Sequence, residues 1–172
     1  MPKQKAMMRS LSRKGTRSNR KPAVAVKLPA PAERSVCERC GALYLHESWR
    51  AKRKLALGPG ETVRWTVCPA CKQVEREEAQ GRLLLRGKYL AEAREEIERR
   101  IANVARRAAY TQPERKIVSS EFRNGTLEVR TTSQKLAHRI ARELCKAFGG
   151  KAAYNWSDDG SVDVVWTRAA ER

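Results

Sequence analysis

Two cysteine pairs carry the most specific chemistry in this chain. The first is Cys37-Glu-Arg-Cys40, followed directly by Gly41, and the second is Cys68-Pro-Ala-Cys71. The backbone of a C-x-x-C segment turns tightly and aims both sulfurs at one centre, so two pairs supply the four thiolates of a tetrahedral zinc site. Four protein ligands leave no position for water. The sequence therefore predicts one structural Zn²⁺ and no zinc catalysis.

Disulfides and a thioredoxin-like redox pair are the alternatives to zinc. The sequence shows no signal peptide and no apolar run of membrane-spanning length, which favours a cytoplasmic protein with reduced thiols and no membrane partner. A redox pair is expected at the start of a helix after a buried strand, and we predict that setting for neither pair. His46 is a further candidate ligand. Because four cysteines fill the shell, we expect His46 to be solvated or locally hydrogen-bonded.

The segment around the cysteines must bring the two pairs together, and its pattern indicates β structure. Residues 58–60, Gly-Pro-Gly, are typical of a hairpin tip, and residues 62–67 alternate like a strand that leads into the second pair. Gly41 is expected to adopt a positive φ, and Pro69 to stiffen the second turn. These features predict a four-cysteine zinc ribbon over residues 35–75.

The chain is strongly basic, and half of the excess charge lies near its start. Its 172 residues include 37 Lys and Arg against 19 Asp and Glu, a formal charge of +18, and residues 1–36 hold ten of these cations with one Glu. Few large apolar side chains occur there, so we predict a disordered basic tail over residues 1–34. We interpret it as an RNA-binding arm, with a solubilising tail or a transit peptide as alternatives. Its candidate contacts are Arg9, Arg13, Lys14, Arg17, Arg20 and Lys21.

Residues 76–112 are rich in helix formers and are predicted to be a linking helical segment. Within it, Leu83-Leu84-Leu85 is typical of a short strand or an apolar turn. From Tyr89 onward apolar residues recur at intervals of three and four, which predicts one long helix that ends before Pro113.

Residues 113–168 predict a ββαββ domain. Asn124-Gly125 is typical of a two-residue type I′ turn. That turn pairs Phe122 with Leu127, and the other residues expected on the same face are Val118 and Val129. A capping box, Thr131-x-x-Gln134, is then predicted to begin a helix that ends at Phe148, before two glycines.

The helix of this domain has two distinct sides. The apolar side consists of Leu136, Ile140, Leu144 and Phe148. The side almost opposite is entirely cationic, which fits either a nucleic-acid contact or a solvated exterior. Its members are Lys135, Arg139, Arg142 and Lys146.

A second hairpin follows, with a three-residue loop at Asp158-Asp159-Gly160. The register expected from this loop pairs Trp156 with Val162 and Tyr154 with Val164. We predict that these two aromatic side chains, together with Trp166, form core against the helix, and a base-stacking platform is the alternative.

The C-x-x-C-G and C-P-x-C pairs, the long charged helix and the segment KLAHRIARELCKAFGG together resemble the prokaryotic side of the nonsense-mediated-decay-3-like family. The resemblance covers residues 35–168. It implies metal-ligand roles for Cys37, Cys40, Cys68 and Cys71 and a zinc protein associated with the ribosome or with RNA, since archaeal and eukaryotic members bind the large ribosomal subunit.

The expected fold class is therefore α+β: a zinc ribbon, then a helix and a small two-layer ββαββ domain. The expected function is non-catalytic RNA binding, with ribosomal RNA and ribosomal proteins as partners and no small-molecule substrate. A DNA-binding regulator and a zinc-stabilised protein-interaction module are the alternatives; no catalytic motif is present. The cysteine-rich segment contributes its own candidate RNA contacts, which are Arg50, Lys52, Arg53 and Lys54.

Overall fold

The computed structural model describes residues 34–51 and 62–169, which form a small cysteine-bearing unit and a larger unit of sheet and helices. The predicted α+β class is confirmed. The predicted tail lies outside the described residues except for Arg34, and so does the Gly-Pro-Gly hairpin tip at 58–60.

The cysteine-bearing unit, called the four-cysteine module below, is a four-stranded sheet with one short helix. The strand order is β3-β2-β1-β4. Strand β2 is antiparallel to both neighbours, whereas β4 runs parallel to β1. The elements are β1 (Ser35–Cys37), β2 (Leu43–Leu45), β3 (Ser48–Arg50), β4 (Arg64–Thr66) and α1 (Pro69–Glu75).

A tight hairpin and a small core complete this module. His46 and Glu47 form the two-residue turn between β2 and β3, with φ values of 47° and 60°, as in a type I′ turn. His46 is exposed at this tip, as expected for a residue outside the metal site. The Trp49 ring packs on Tyr44 at 5.3 Å between centroids, and both rings are buried against the cysteines.

The larger unit, called the sheet unit below, is a five-stranded sheet with two helices. Its strand order is β6-β7-β5-β9-β8. The elements are β5 (Gly81–Arg86), α2 (Lys88–Thr111), β6 (Ile117–Arg123), β7 (Thr126–Thr131), α3 (Gln134–Phe148), β8 (Lys151–Trp156) and β9 (Val162–Thr167).

Strand β5 is the middle strand of this sheet, although residues 76–112 were predicted to be a linking segment. It pairs antiparallel with β7 on one side and parallel with β9 on the other. Leu83 and Leu85 are fully buried. A short apolar run does not reveal whether it is a strand or a turn. The linking segment thus supplies a strand and a helix of the same two-layer unit.

Both helices pack on one face of the sheet. Leu136, Ile140, Leu144 and Phe148 of α3 are buried there, as the apolar stripe predicts. Helix α2 ends before Pro113 as predicted, and it bends at Ala93, which has φ −110° and ψ 20°. The inward side chains of the sheet are Leu83, Leu85, Leu127, Val129, Val162, Val164 and Trp166.

The first hairpin has the predicted turn, but the predicted position of one residue on the core face is wrong. Asn124 and Gly125 have φ values of 50° and 73°, and Phe122 pairs with Leu127. Val118 was predicted on the core face beside Val129. A bulge between Ile117 and Ser119 instead pairs Ile117 with Thr131 and packs Ile117 against the core. The extra residue of a bulge shifts every residue before it by one position.

The predicted capping box is also wrong. Helix α3 begins two residues later than this box implies, with Ser133 as its N-cap and no side-chain cap. Thr131 is fully buried in β7, and its hydroxyl donates to the carbonyl oxygen of Ser133 at 3.0 Å. The predicted end of the helix is confirmed, since Gly149 takes a φ of 72°.

In the second hairpin the predicted pairing is confirmed, but the predicted burial is only partly right. Trp156 pairs with Val162 and Tyr154 pairs with Val164. Trp166 on β9 is fully buried, whereas the Tyr154 and Trp156 side chains on β8 are 36% and 56% exposed. Strand β8 lies at the edge of the sheet and has a neighbouring strand on one side only, so its aromatic residues do not join the core.

Candidate metal centre and cationic helix surface

The first cysteine pair lies in a tight turn at the end of β1. The N–H of Cys37 donates to the carbonyl oxygen of Ala42 at 2.7 Å, and the N–H of Gly41 donates to the carbonyl oxygen of Cys37 at 2.8 Å. Gly41 has a φ of 68°, as predicted. The turn folds Cys40 back toward Cys37, with the Cys37 side chain buried and Cys40 exposed.

The second pair lies at the start of a helix, which is one of the two features expected of a redox pair. Cys68 is the N-cap of α1, Pro69 is its first residue, and Cys71 is in its first turn. Proline is well suited to this position because its missing N–H would have no partner there. The preceding strand β4 is exposed or half-exposed, so the buried strand expected before a redox pair is not present.

The four sulfurs converge as a metal site requires. The Sγ atoms of Cys37 and Cys71 are 3.8 Å apart, as are those of Cys40 and Cys68, and all four lie within 4.8 Å of one another. With zinc–sulfur bonds of about 2.3 Å, a regular tetrahedron places its sulfurs about 3.8 Å apart. A disulfide would bring two sulfurs to about 2.05 Å, and all described cysteines are free.

The surroundings of the thiols differ from one cysteine to the next. Burial raises the pKa of Cys68 and also that of Cys71. At Cys37 burial acts in the same direction, but the N–H groups of Cys68, Cys40 and Arg39 outweigh it and lower the pKa to about 6. The amide of Cys68 donates to the Cys37 sulfur at 3.3 Å. Backbone donors thus favour the thiolate of Cys37, whereas burial disfavours the thiolates of Cys68 and Cys71, which a nearby cation would stabilise.

Lys116 supplies such a cation from the sheet unit. Its Nζ donates to the sulfur of Cys71 at 2.8 Å. The Thr132 hydroxyl holds the lysine backbone in place, because it accepts from the N–H of Lys116 at 2.9 Å and donates to the Glu114 carbonyl oxygen at 2.7 Å. Burial works to lower the pKa of Lys116, but the sulfur of Cys71 and the charge of Cys40 raise it.

Lys116 is a residue of the site that its sequence position does not reveal. It follows the last turn of α2 and precedes β6, 45 residues after Cys71, and no local pattern connects it with a cysteine pair. Its role depends on how the four-cysteine module sits against the sheet unit. The hydrogen bond from Arg130 to the carbonyl oxygen of Glu77, at 2.7 Å, also joins the two units.

The predicted cationic row of α3 is fully on the surface. None of its side chains forms an ion pair or a hydrogen bond within the described part of the chain. The acid of this helix, Glu143, lies one turn after Arg139 but pairs with Arg100 of α2 at 3.4 Å. The row, called the α3 row below, consists of Lys135, Arg139, Arg142 and Lys146.

One predicted contact of the four-cysteine module lines the same cleft as one member of the α3 row. Arg50 and Lys135 both line an open cleft of about 1120 Å³ between the two units, together with Arg115 and the exposed ring of Tyr110. The structure thus brings two of the predicted cationic contacts to one depression. The others of the inter-cysteine segment, Lys52, Arg53 and Lys54, lie outside the described residues, as do all six predicted contacts of the tail.

No family model, curated protein or solved structure matches this chain. Within the described residues, no helix combines the length and the apolar character needed to cross a bilayer.

Proposed function

We propose that this chain is a non-catalytic RNA-binding protein that one zinc ion stabilises. The observation that carries the proposal is the α3 row, four exposed cations on one side of a helix whose only acid is paired elsewhere. Unpaired cations at helical spacing meet the phosphates of a nucleic acid without first breaking an internal ion pair. Ribosomal RNA is the RNA that the resemblance to the nonsense-mediated-decay-3-like family implies.

Zinc fits the four-cysteine site best, and it fits a structural role. Four thiolates at tetrahedral spacing are typical of structural zinc, and they leave no coordination position for water or substrate. Four thiolates with one Zn²⁺ carry a net charge of −2, which Lys116 partly neutralises. We therefore assign the metal to the folding of the four-cysteine module and not to a reaction.

The position of α3 favours RNA over a DNA major groove. A recognition helix reads base edges by entering the groove. Helix α3 instead lies flat, with Arg100 of α2 paired to it on one side and Tyr154 of β8 in contact with its His138 on the other. A helix flanked on both sides presents its cations to the phosphate backbone of an RNA strand that crosses over it.

The salt dependence of RNA binding tests this proposal. Fluorescence anisotropy with a labelled single-stranded RNA is measured on the full chain at several salt concentrations. Each phosphate neutralised on a single strand contributes about −0.7 to the slope of log K against log salt. Alanine at all four positions of the α3 row should therefore reduce the magnitude of the slope by about 2.8 and weaken binding at low salt.

A matched control distinguishes the effect of the α3 row on RNA binding from the effect of net charge. Helix α2 offers four other exposed cations, and their replacement by alanine removes the same charge. These positions are Lys88, Arg99, Arg106 and Arg107. The proposal expects the control to retain most of the wild-type slope. Equal losses in both variants, or no measurable RNA binding by the wild-type chain, would overturn it.

A further inference from the structure

Two aromatic side chains stand exposed on the strand next to the α3 row. Tyr154 and Trp156 are two residues apart on β8, so they project from the same face of the sheet. Both lie on the face that carries the helices, because their partners Val162 and Val164 are buried beneath α3. In the described part of the chain, the indole of Trp156 contacts no other aromatic ring.

The aromatic pair and the α3 row form one continuous surface. The His138 ring lies 5.1 Å from the Tyr154 ring, with 38° between their planes. His138 is four residues from Arg142, one helical turn, so both project from neighbouring parts of the same side of α3. At the other end, Gln134 lies against Gly160 in the loop that follows Trp156. Strand β8 and the loop after it therefore flank the first half of the α3 row.

An exposed edge with large aromatic side chains needs a physical reason. Edge strands are usually protected by charge, proline or a covering element, since they can pair with other chains. Strand β8 has one charged residue, Lys151, and it presents a tyrosine and a tryptophan to solvent. Large apolar rings beside a cationic row suit a ligand that combines flat faces with negative charge.

We propose that the surface formed by the α3 row and the Tyr154–Trp156 pair binds unpaired nucleotides, with phosphates on the row and bases stacked on the two rings. This inference rests on the proposed RNA-binding function and names its ligand as single-stranded RNA. The row extends from Lys135 to Lys146, a rise of about 16 Å along the helix, and its four cations match about four phosphates. A base in a duplex is already stacked between its neighbours and leaves the two rings without a partner.

The test compares two RNA probes on the full chain. Anisotropy measures affinity for an oligouridine of ~12 nucleotides, longer than the row, and for a duplex RNA of similar length. The variant Tyr154→Leu/Trp156→Leu should lose about tenfold in affinity for each ring on oligouridine and less than about twofold on the duplex. Trp65→Leu is the matched control, because Trp65 is 62% exposed on β4, in the other unit, and should change neither affinity.

The outcomes separate this inference from the proposed function. An aromatic double variant that binds oligouridine as tightly as wild type, while the variant of the α3 row does not, overturns the inference alone. Tighter binding of the duplex than of oligouridine by the wild-type chain would also overturn the inference alone. Absence of binding to both probes overturns both proposals.

A second measurement on the wild-type chain does not depend on the folding of any variant. Photocrosslinking to a 4-thiouridine oligonucleotide, followed by mass spectrometry, should identify peptides that contain Tyr154 or Trp156. Crosslinks found only outside residues 151–156 would contradict the inference.

Discussion

Replacing Lys116 by methionine should weaken zinc binding without loss of a zinc ligand. The lysine Nζ donates to the Cys71 sulfur at 2.8 Å and is half-buried. Methionine retains the length and much of the apolar packing of the side chain but removes the donor and the charge. A hydrogen bond to a charged group contributes about 1.5–3 kcal/mol, so the zinc dissociation constant should rise by about 10- to 150-fold. Outer-shell partners of metal ligands typically have effects of this size.

The assay is competition for zinc with a chromophoric chelator at fixed pH, on the full chain. Lys72→Met is the matched control, since Lys72 is exposed and adjacent to Cys71 in sequence, yet forms no hydrogen bond with it. The control removes the same charge near the same cysteine. Equal zinc affinities for the two variants would refute a specific role for the Lys116 hydrogen bond, and an unchanged affinity in Lys116→Met would refute any role.

Three further predictions concern the metal and the two cores. The pKa values of Cys68 and Cys71 are raised by burial, so both thiols are protonated at neutral pH and zinc must displace at least these two protons. Apparent zinc affinity should therefore rise by at least about 100-fold per pH unit between about pH 6.5 and 8, and chelator competition that shows no pH dependence would contradict this. Removal of zinc by a chelator should abolish the hydrogen-exchange protection of the four-cysteine module while the sheet unit stays protected, because their apolar cores are separate; simultaneous loss in both would show one cooperative unit. Leu144→Ala should lower the free energy of unfolding of the sheet unit by about 2–5 kcal/mol in urea titration, because Leu144 is fully buried. Ala147→Gly, at an exposed position of the same helix, should lower it by only about 1 kcal/mol.

The sequence predicted those features that depend on local geometry. Asn124-Gly125 determines its own turn because both residues tolerate a positive φ, and the pairing of Phe122 with Leu127 follows from that turn. The three-residue loop ending at Gly160 likewise determines the pairing of Trp156 with Val162. The tight turn of each C-x-x-C segment is also local, and it predicted that the two sulfurs of each pair point at one centre.

Features that depend on the neighbours of a strand could not be predicted in this way. Strand alternation shows which side chains share a face, but not whether the strand lies in the middle of the sheet or at its edge. For this reason Leu83 and Leu85 were assigned to a linking segment although β5 is central, and Trp156 was assigned to the core although β8 is an edge strand. The contact between Lys116 and Cys71 joins two units and has no local pattern.

Sedimentation of a cell extract through a density gradient, before and after RNase treatment, tests most directly whether this chain binds RNA in its cellular setting. At low salt, the chain should migrate with a large RNA-containing particle and should move to the top of the gradient after RNase treatment. Migration at the top without RNase, or rapid sedimentation that RNase leaves unchanged, would contradict this prediction.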